Sequence, residues 1–308
     1  MIEILIMTLA VGITLTTPIL LVALGELISE RSGVLNLGIE GGMLVGAFLS
    51  FVVAHQTGNY FLATLVGMLG GGMISLIHAF ASITLSVDQI VSGIGLNIVC
   101  MGATSFFLRE IYWAGASATL PTVQVISELN LPLLENIPVL GTVLLGHNLF
   151  TYIAFALVPV IYLFMFRTNY GLIIRAVGEN PEAAATAGIN VRTVRYLSVT
   201  AGGLLAGLGG VALALGESGC FNDNMTSGRG FIAVAVVIFG NWRSVRAMLG
   251  SLLFGIVNSV QFTLQALQSP IPYQFLLMLP YISCILALVF ATHGARVPGA
   301  LGKPFRKE

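Results

Sequence analysis

A carboxylate inside an apolar segment is the most unusual chemical feature of this sequence. Glu40 follows the polar residue Asn36 and precedes a long apolar stretch. Charged side chains at membrane depth are expensive, so they typically pair with another group or contact a transported ion or solute. Two structural alternatives stay open for Glu40, a place at the membrane interface or a pairing with Arg31. Asp88, which opens a later apolar segment, has the same ambiguity.

Two buried amides and one aromatic ring are further candidates. Asn36, Asn97 and Phe231 lie within or beside apolar, glycine-interrupted segments. Most such amides join helices by hydrogen bonds, and a minority contact substrate. Glycine-interrupted segments at matching positions in two halves of a chain point to a transport pathway. The candidate pathway residues are therefore Asn36, Glu40, Asn97 and Phe231.

The sequence contains no recognisable catalytic or metal-binding arrangement. Its two lysines, Lys303 and Lys307, do not follow a glycine-rich loop, so the P-loop pattern for ATP is missing. Nucleophile-elbow and zinc-protease motifs are missing as well, and the four histidines lack metal-ligand spacing. We expect no catalytic residue, no metal site and no cofactor on this chain.

A short helix with complete start and stop signals is predicted at Asn180–Ile189. Asn180 suits the N-cap, Pro181 the first helical position and Glu182 the positive end of the helix dipole. Gly188 can end the helix in a left-handed conformation. A helix of about two turns is marginal alone, so it should need a partner surface. Its predicted small face consists of Ala183, Ala184 and Ala187.

Composition indicates the class of protein that positions these residues. Hydrophobic residues make up 56% of the 308 residues and charged residues only 8%, whereas soluble domains carry about 25% charged residues. A soluble enzyme, a nucleic-acid binder and a disordered chain are thereby excluded. We predict an all-α, polytopic helical membrane protein.

About nine membrane segments, some of them broken, are predicted. A spanning helix needs about 20 mostly apolar residues, and only Gly230–Gly240 is too short to cross as a regular helix. The other predicted segments are Ile4–Leu24, Val34–Ala54, Tyr60–Leu85, Ile90–Leu108, Leu149–Phe166, Tyr196–Leu215, Ala247–Leu264 and Tyr273–Ala291.

The distribution of basic residues predicts the orientation. Nine crossings place 11 of the 13 lysines and arginines on one side, which the positive-inside rule assigns to the cytoplasm. The N-terminus is then outside and the C-terminus cytoplasmic. We predict one membrane domain over residues 1–308, with 109–148 as an extracytoplasmic loop and 167–195 as a cytoplasmic region. Four segments on either side of Leu149–Phe166, beginning on opposite sides, have the layout of an inverted repeat.

Three long motifs, in order, resemble permease subunits of bacterial ABC importers in the branched-chain amino acid, ribose and nucleoside family. Gly25–Gly41 is similar to the signature of the nucleoside or simple-sugar branch, and Arg175–Ala184 to the family's coupling helix. Gly228–Trp242 is the third match. The sequence departs from the family pattern at Gly42, where a second Met is common, and at the turn Arg243–Arg246.

The resemblance implies that this chain works at the inner membrane together with several other chains, each with its own task. A partner ATPase binds ATP and Mg²⁺, a second permease completes the pore, typically as a heterodimer, and an external binding protein or lipoprotein delivers a nucleoside. Region 167–195 is then the coupling region that docks on the ATPase. Its implied coupling residues are Arg175, Glu179, Asn180, Pro181, Glu182, Ala183, Ala184, Ala187, Gly188 and Ile189.

Several alternatives to a nucleoside permease stay open. A permease for ribose or another simple sugar is the nearest alternative, followed by one for branched-chain amino acids. An ion-coupled secondary transporter would need Glu40 or Asp88 as an ion site, and it would have no use for a capped docking helix. An intramembrane enzyme is not supported, because the sequence contains no recognisable arrangement of catalytic residues.

Overall fold

A computed structural model describes residues 2–112, 121–127, 143, 145–268, 270–291 and 296–305. Every regular element within these ranges is helical. Two helices continue into π-helical turns, α3 into Phe80–Thr84 and α8 into Ala212–Ser218. The helices are α1 Ile2–Arg31, α2 Ile39–Thr57, α3 Tyr60–Ala79, α4 Gln89–Tyr112, α5 Leu149–Arg167, α6 Asn169–Glu179, α7 Pro181–Thr186, α8 Val191–Val211, α9 Arg229–Phe239, α10 Ser244–Ala266 and α11 Tyr273–Ala291.

The predicted helical membrane architecture is confirmed. Seven helices are long and apolar enough to cross a membrane, and α9 and the stretch Tyr273–Ala287 of α11 are shorter apolar helical segments. Several boundaries differ from the prediction, and α8, for example, begins at Val191 and not at Tyr196. Helix α1 continues to Arg31, and α2 begins only at Ile39. Residues 34–38, predicted as part of a span, are therefore not helical.

Helix α1 lies at the centre of the bundle. Its stretch Ile19–Leu24 is fully buried, as expected for a helix that other helices surround on all sides. It runs antiparallel to α10, because Thr8 pairs with Thr263 while Thr16 Oγ1 donates to the carbonyl of Ser251. The end of α1 at Arg31 therefore lies beside the start of α10.

Close helix approach in the core depends on glycine. A Cβ atom on Gly46 of α2 would lie 2.6 Å from the Cα of Gly207 in α8. A Cβ atom on Gly71 of α3 would lie 2.5 Å from the backbone nitrogen of the same Gly207. These backbones touch because no side chain separates them, the usual use of small residues in membrane bundles.

The loops of the predicted cytoplasmic side gather at one end of the bundle. Arg31 Nη2 donates to the carbonyl of Trp242 at 3.0 Å, which joins the ends of α1 and α9. Arg195 Nη1 donates to the carbonyl of Lys303 at 3.1 Å. We call this the Arg31 end. The structure thus places at one end the segments that the distribution of basic residues had assigned to one side. The assignment of that end to the cytoplasm stays a prediction.

The opposite end, here called the Arg109 end, holds the described part of loop 109–148. The backbone of Val123 donates to the carbonyl of Gly219 at 2.8 Å, and Asn148 Nδ2 donates to that of Gly216 at 2.9 Å. Residues 113–120, 128–142 and 144 of this loop lie outside the described ranges.

Candidate functional site

Glu40 forms the N-terminal cap of a helix from the other half of the chain. Its Oε1 accepts hydrogen bonds from Thr226 Oγ1 at 2.6 Å and from the backbone of Gly228 at 2.8 Å. Its Oε2 accepts one from the backbone of Gly230 at 2.6 Å. The side chain is buried. The carboxylate therefore satisfies free N–H groups at the positive end of α9, which stabilises both the helix end and the buried charge.

One of the two structural alternatives for Glu40, the pairing with Arg31, is wrong. The other, a place at the membrane interface, stays a prediction, and the residue is only 4% exposed within the protein. Arg31 does not pair with it, because Arg31 bonds the carbonyl of Trp242 through Nε and Nη2. Trp242 in turn donates its ring N–H to Glu30. Arg31 thus fastens the turn after α9 to the end of α1.

The irregular segment Ser32–Gly38 is buried and held by side chains. Glu26 accepts the backbone N–H of Asn36 at 2.8 Å, and Gln89 accepts that of Leu35 at 2.8 Å. The carbonyl of Leu35 also accepts from His78 Nε2 at 3.1 Å. Non-helical backbone at membrane depth is tolerated where protein groups satisfy it. These side chains supply the backbone with the hydrogen-bond partners that it would have had in a helix.

The two candidate asparagines belong to the same polar cluster. Asn97 accepts the backbone N–H of Gly41 at 2.8 Å and donates to the carbonyl of Leu37 at 2.8 Å. Asn36 Nδ2 donates to Ser75 Oγ at 3.0 Å. Both amides therefore join helices, the commoner of the two roles expected for them. Their contact with a substrate stays a prediction.

Phe231 differs from the other candidates because its side chain is exposed. It follows Gly230 directly, so it lies within one residue of the Glu40 cap, yet the residue is 43% exposed. The structure thus brings the four predicted pathway residues to one region, around the beginnings of α2 and α9. Asn36, Glu40 and Asn97 are buried and hydrogen-bonded within the protein. The side chain of Phe231 is exposed.

Sequence reasoning missed the polar loop that leads into α9. Residues 219–228 are not helical. Four of their side chains are exposed, those of Asn222, Asp223, Asn224 and Ser227. The signal for this loop is a run of polar residues directly before a segment too short to span.

Two contacts at the ends of this polar loop fix its position. Asp223 Oδ2 lies 3.6 Å from Arg109 Nη2, and both side chains are exposed. Tyr281 of α11 donates its hydroxyl to the carbonyl of Ser227 at 3.1 Å. Tyr281 is itself 49% exposed, so its ring adjoins the open side of the loop.

The short helix α7 has the predicted caps. Asn180 Oδ1 accepts the backbone N–H of Ala183 at 3.0 Å, and Pro181 occupies the first turn. Gly188 has φ +85°, the left-handed conformation expected of the stop. Glu182 is exposed, and Glu179 accepts the backbone N–H of Gly299 at 3.3 Å. The local signals at both ends of the helix were thus sufficient to predict it.

The alanine face of α7 is split. Ala183 and Ala187 are exposed, but Ala184 is 4% exposed and packs with Val177 and Val191. Ile189 lies against the same cluster. Ala184 therefore anchors α7 to the rest of the chain. The exposed docking face can consist only of residues on the other side of the helix.

The C-terminal segment holds the region around α7 in place. The backbone of Ala300 donates to the carbonyl of Gly178 at 2.9 Å. Phe305 packs against the cluster beneath α7 and, with Ile189, lines a cleft of about 400 Å³. Arg175 of α6 lies 5.1 Å above the ring of Phe166. The predicted coupling residues thus share the Arg31 end.

Known proteins with similar sequences are membrane permeases. The chain is 40% identical to the guanosine ABC transporter permease NupQ of Bacillus subtilis, over 94% of this chain and 93% of NupQ. It is 38% identical to the putative glucose ABC transporter permease TsgC13 of Haloferax volcanii, over 95% of each. No solved structure matches significantly.

A third relative belongs to an organism with two such proteins. The nucleoside ABC transporter permease NupC of Lactococcus lactis is 37% identical over 95% of this chain and 94% of its own length. NupB of the same organism is 26% identical over 81% of this chain. The profile described as branched-chain amino acid transport system / permease component matches residues 8–292. With nearly its whole length matched, this chain belongs to that permease family.

Proposed function

We propose that this chain is the membrane-spanning permease subunit of an ABC importer for nucleosides. The observation that carries the proposal is the near full-length identity with a guanosine permease and a nucleoside permease, at 40% and 37%. The chain is a multi-pass protein of the cell's inner membrane, as its family and its apolar helices require. Its own role is to form the pathway.

The remaining functions are assigned to partner chains. ATP and Mg²⁺ belong to a separate ATPase, because the sequence has no P-loop. A second, different permease completes the pore, a proposal supported by the two nucleoside permeases of Lactococcus lactis. An external binding protein or lipoprotein delivers the substrate. No nucleic acid takes part.

We assign the Arg31 end to the cytoplasm. It carries the arginines of the predicted cytoplasmic loops, which favours that side. Region 167–195 would then be the coupling region, and α7 with its exposed Ala183 and Ala187 would dock on the ATPase. The N-terminus and residues 109–148 would be extracytoplasmic, within a single membrane domain of residues 1–308.

A sugar permease is the second candidate. It is favoured by the 38% identity with the putative glucose permease of Haloferax volcanii. An ion-coupled mechanism is disfavoured by the two candidate ion sites. Glu40 has three protein donors, and Asp88 Oδ1 accepts the backbone N–H groups of Ile90 and Val91. Both carboxylates therefore already serve as helix caps.

Uptake measurements test the proposal. The gene for this chain would be deleted in its source organism, and uptake of radiolabelled guanosine, uridine, ribose and glucose compared before and after complementation. Loss of nucleoside uptake alone, restored by the complementing gene, is the expected result. Loss confined to ribose or glucose would support the sugar permease instead. Unchanged uptake of all four compounds would overturn the proposal.

A further inference from the structure

The polar loop before α9 extends from the Arg109 end to about half the depth of the bundle. Helix α9 has 11 residues, so it rises about 16 Å from the Arg31 end, roughly half of a hydrocarbon core of about 30 Å. The loop then continues toward the Arg109 end. Its Phe221 ring lies 5.2 Å from Phe48 of α2, whereas its Thr226 bonds Glu40. Those two α2 residues are about 12 Å apart along the helix axis.

The two irregular segments that meet at Glu40 have different environments. Ser32–Gly38 is largely buried, and side chains of neighbouring helices satisfy its backbone. The loop 219–228 instead exposes four hydrogen-bonding side chains, three of them consecutive. Irregular polar backbone does not face lipid, because the hydrocarbon offers no hydrogen-bonding partner. Where this loop lies at membrane depth, its open side must therefore face water, a solute or another protein surface.

Charge favours a solute pathway over a protein interface. Asp223 and Arg109 are 40% and 64% exposed and lie 3.6 Å apart. The buried centres of protein interfaces are depleted of charged residues, whereas a polar pathway accommodates them. A solvated ion pair at this position is consistent with an opening that water enters from the Arg109 end.

The chemistry of the open side fits a nucleoside. Asparagine amides both donate and accept, as the edges of a nucleobase require, and a carboxylate accepts hydrogen bonds from ribose hydroxyls. The exposed rings of Phe231 and Tyr281 lie on the two helices that adjoin the loop, and aromatic rings offer a flat apolar face to a base. Tyr281 is held beside the loop by its bond to Ser227.

We propose that the loop Asn222–Ser227, together with the rings of Phe231 and Tyr281, forms the wall of the pathway that contacts the transported nucleoside. The inference rests on the proposed nucleoside-import function and gives that function its substrate-contacting side chains. Glu40, Asn36 and Asn97 act behind this wall. Glu40 joins α2 to α9, whereas Asn97 joins α4 to the start of α2 and Asn36 bonds Ser75 of α3.

Kinetics of uptake by the complete transporter in cells provide the first test. Asn222→Ala and Asp223→Asn should each raise the KM for guanosine by about tenfold or more, the loss expected for one hydrogen bond to a polar substrate. The matched control is Glu110→Gln, which alters another exposed carboxylate at the Arg109 end and should leave the KM unchanged. Membrane abundance of each variant is measured in parallel.

Arg109→Gln distinguishes two roles of Asp223, a direct contact with the substrate and an ion pair that only supports the loop. Because Asp223 is the ion-pair partner of Arg109 among the described residues, loss of Arg109 should raise the KM less than Asp223→Asn does. An equal rise in both variants would assign Asp223 to the ion pair and overturn its contact with the substrate. Wild-type cells that take up neither guanosine nor uridine would overturn the proposed function, and this inference with it. Normal wild-type uptake with unchanged KM in both loop variants would overturn the inference alone.

Thiol labelling gives a second readout that does not depend on transport rate. Asn222→Cys, in a background with the native cysteines replaced, should react with an impermeant maleimide, and millimolar guanosine should slow the reaction while ribose should not. Failure to react in intact cells and in inside-out vesicles, while wild-type cells import guanosine, would show that the loop is covered by another subunit. Labelling that guanosine does not slow would equally overturn the contact.

Discussion

Glu40 supplies a cap that the sequence around α9 does not contain. The N-cap position of α9 is Gly228, which has φ +82° and no side chain to accept the free N–H groups. A carboxylate from α2 takes that place and binds three donors. The carboxylate thus fastens one half of the chain to the broken helix of the other.

Glu40→Gln should weaken this junction. A glutamine side chain presents an NH₂ group to at least one backbone donor, which leaves that donor unsatisfied at a cost of about 1–3 kcal/mol. We expect a lower midpoint of thermal unfolding for the purified protein and less uptake. Glu110→Gln is the control, because Glu110 is exposed.

A graded series checks the assignment of Glu40. Thr226→Val removes one of the three donors and should destabilise the protein less than Glu40→Gln. The double variant should be less destabilised than the sum of the two single changes, because both remove the same contact. Additive effects, or a Glu40→Gln protein as stable as wild type, would contradict the capping role.

At the scale of elements, α7 is a small helix whose two sides serve different purposes. The side with Ala184 packs on Val177 and Val191, and Phe305 of the C-terminal segment adds to the same cluster. The side with Ala183 and Ala187 is open. A six-residue helix is too short to persist alone. Its inner side therefore gives it stability, and its outer side is free for a partner.

Substitutions on the two sides of α7 should have different consequences. Ala183→Arg should leave membrane abundance normal and abolish ATPase co-purification and uptake, because it changes only the outer side. Ala184→Arg should lower membrane abundance, since a charged side chain cannot be buried in that apolar cluster without a partner. Quantitative immunoblots, co-purification and uptake measure the three effects.

Two outcomes would contradict this division of α7. Normal ATPase retention and uptake in Ala183→Arg would remove the docking role, and normal abundance of Ala184→Arg would contradict the anchoring role. Gly188→Val provides a related variant. A β-branched residue resists the positive φ at this position, so the stop and the following turn should be disturbed.

At the scale of the whole molecule, the basic residues form a one-sided distribution. Arg31, Arg175, Arg243 and Lys303 belong to separate parts of the sequence, yet all lie at the Arg31 end. The positive-inside rule predicts that this end faces the cytoplasm. The inverted repeat, which would relate the two halves, also stays a prediction.

Cysteine labelling tests the orientation. In a background without native cysteines, Glu110→Cys should react with an impermeant reagent added to intact cells, whereas Thr186→Cys should react only after permeabilisation. Both positions are exposed, so burial does not confound the comparison. Labelling of Thr186→Cys in intact cells would reverse the predicted topology.

The sequence by itself determined those features that depend on composition and on neighbouring residues. Low charge and long apolar runs were enough for the membrane class and for the nine segments. The caps of α7 were predictable because Asn180 and Gly188 act on backbone groups within a few residues of themselves.

Only the tertiary structure decided which distant groups meet. Glu40 and Thr226 are 186 residues apart, and no local pattern pairs a carboxylate with a helix end so far along the chain. Which side chains are buried is also decided only by the tertiary structure. Ala183 and Ala184 are identical in type, but one is open and the other covered, because neighbouring helices and the C-terminal segment approach from one side. The exposed side of loop 219–228 likewise follows from where α2 and α11 pack, which depends on contacts across the whole bundle.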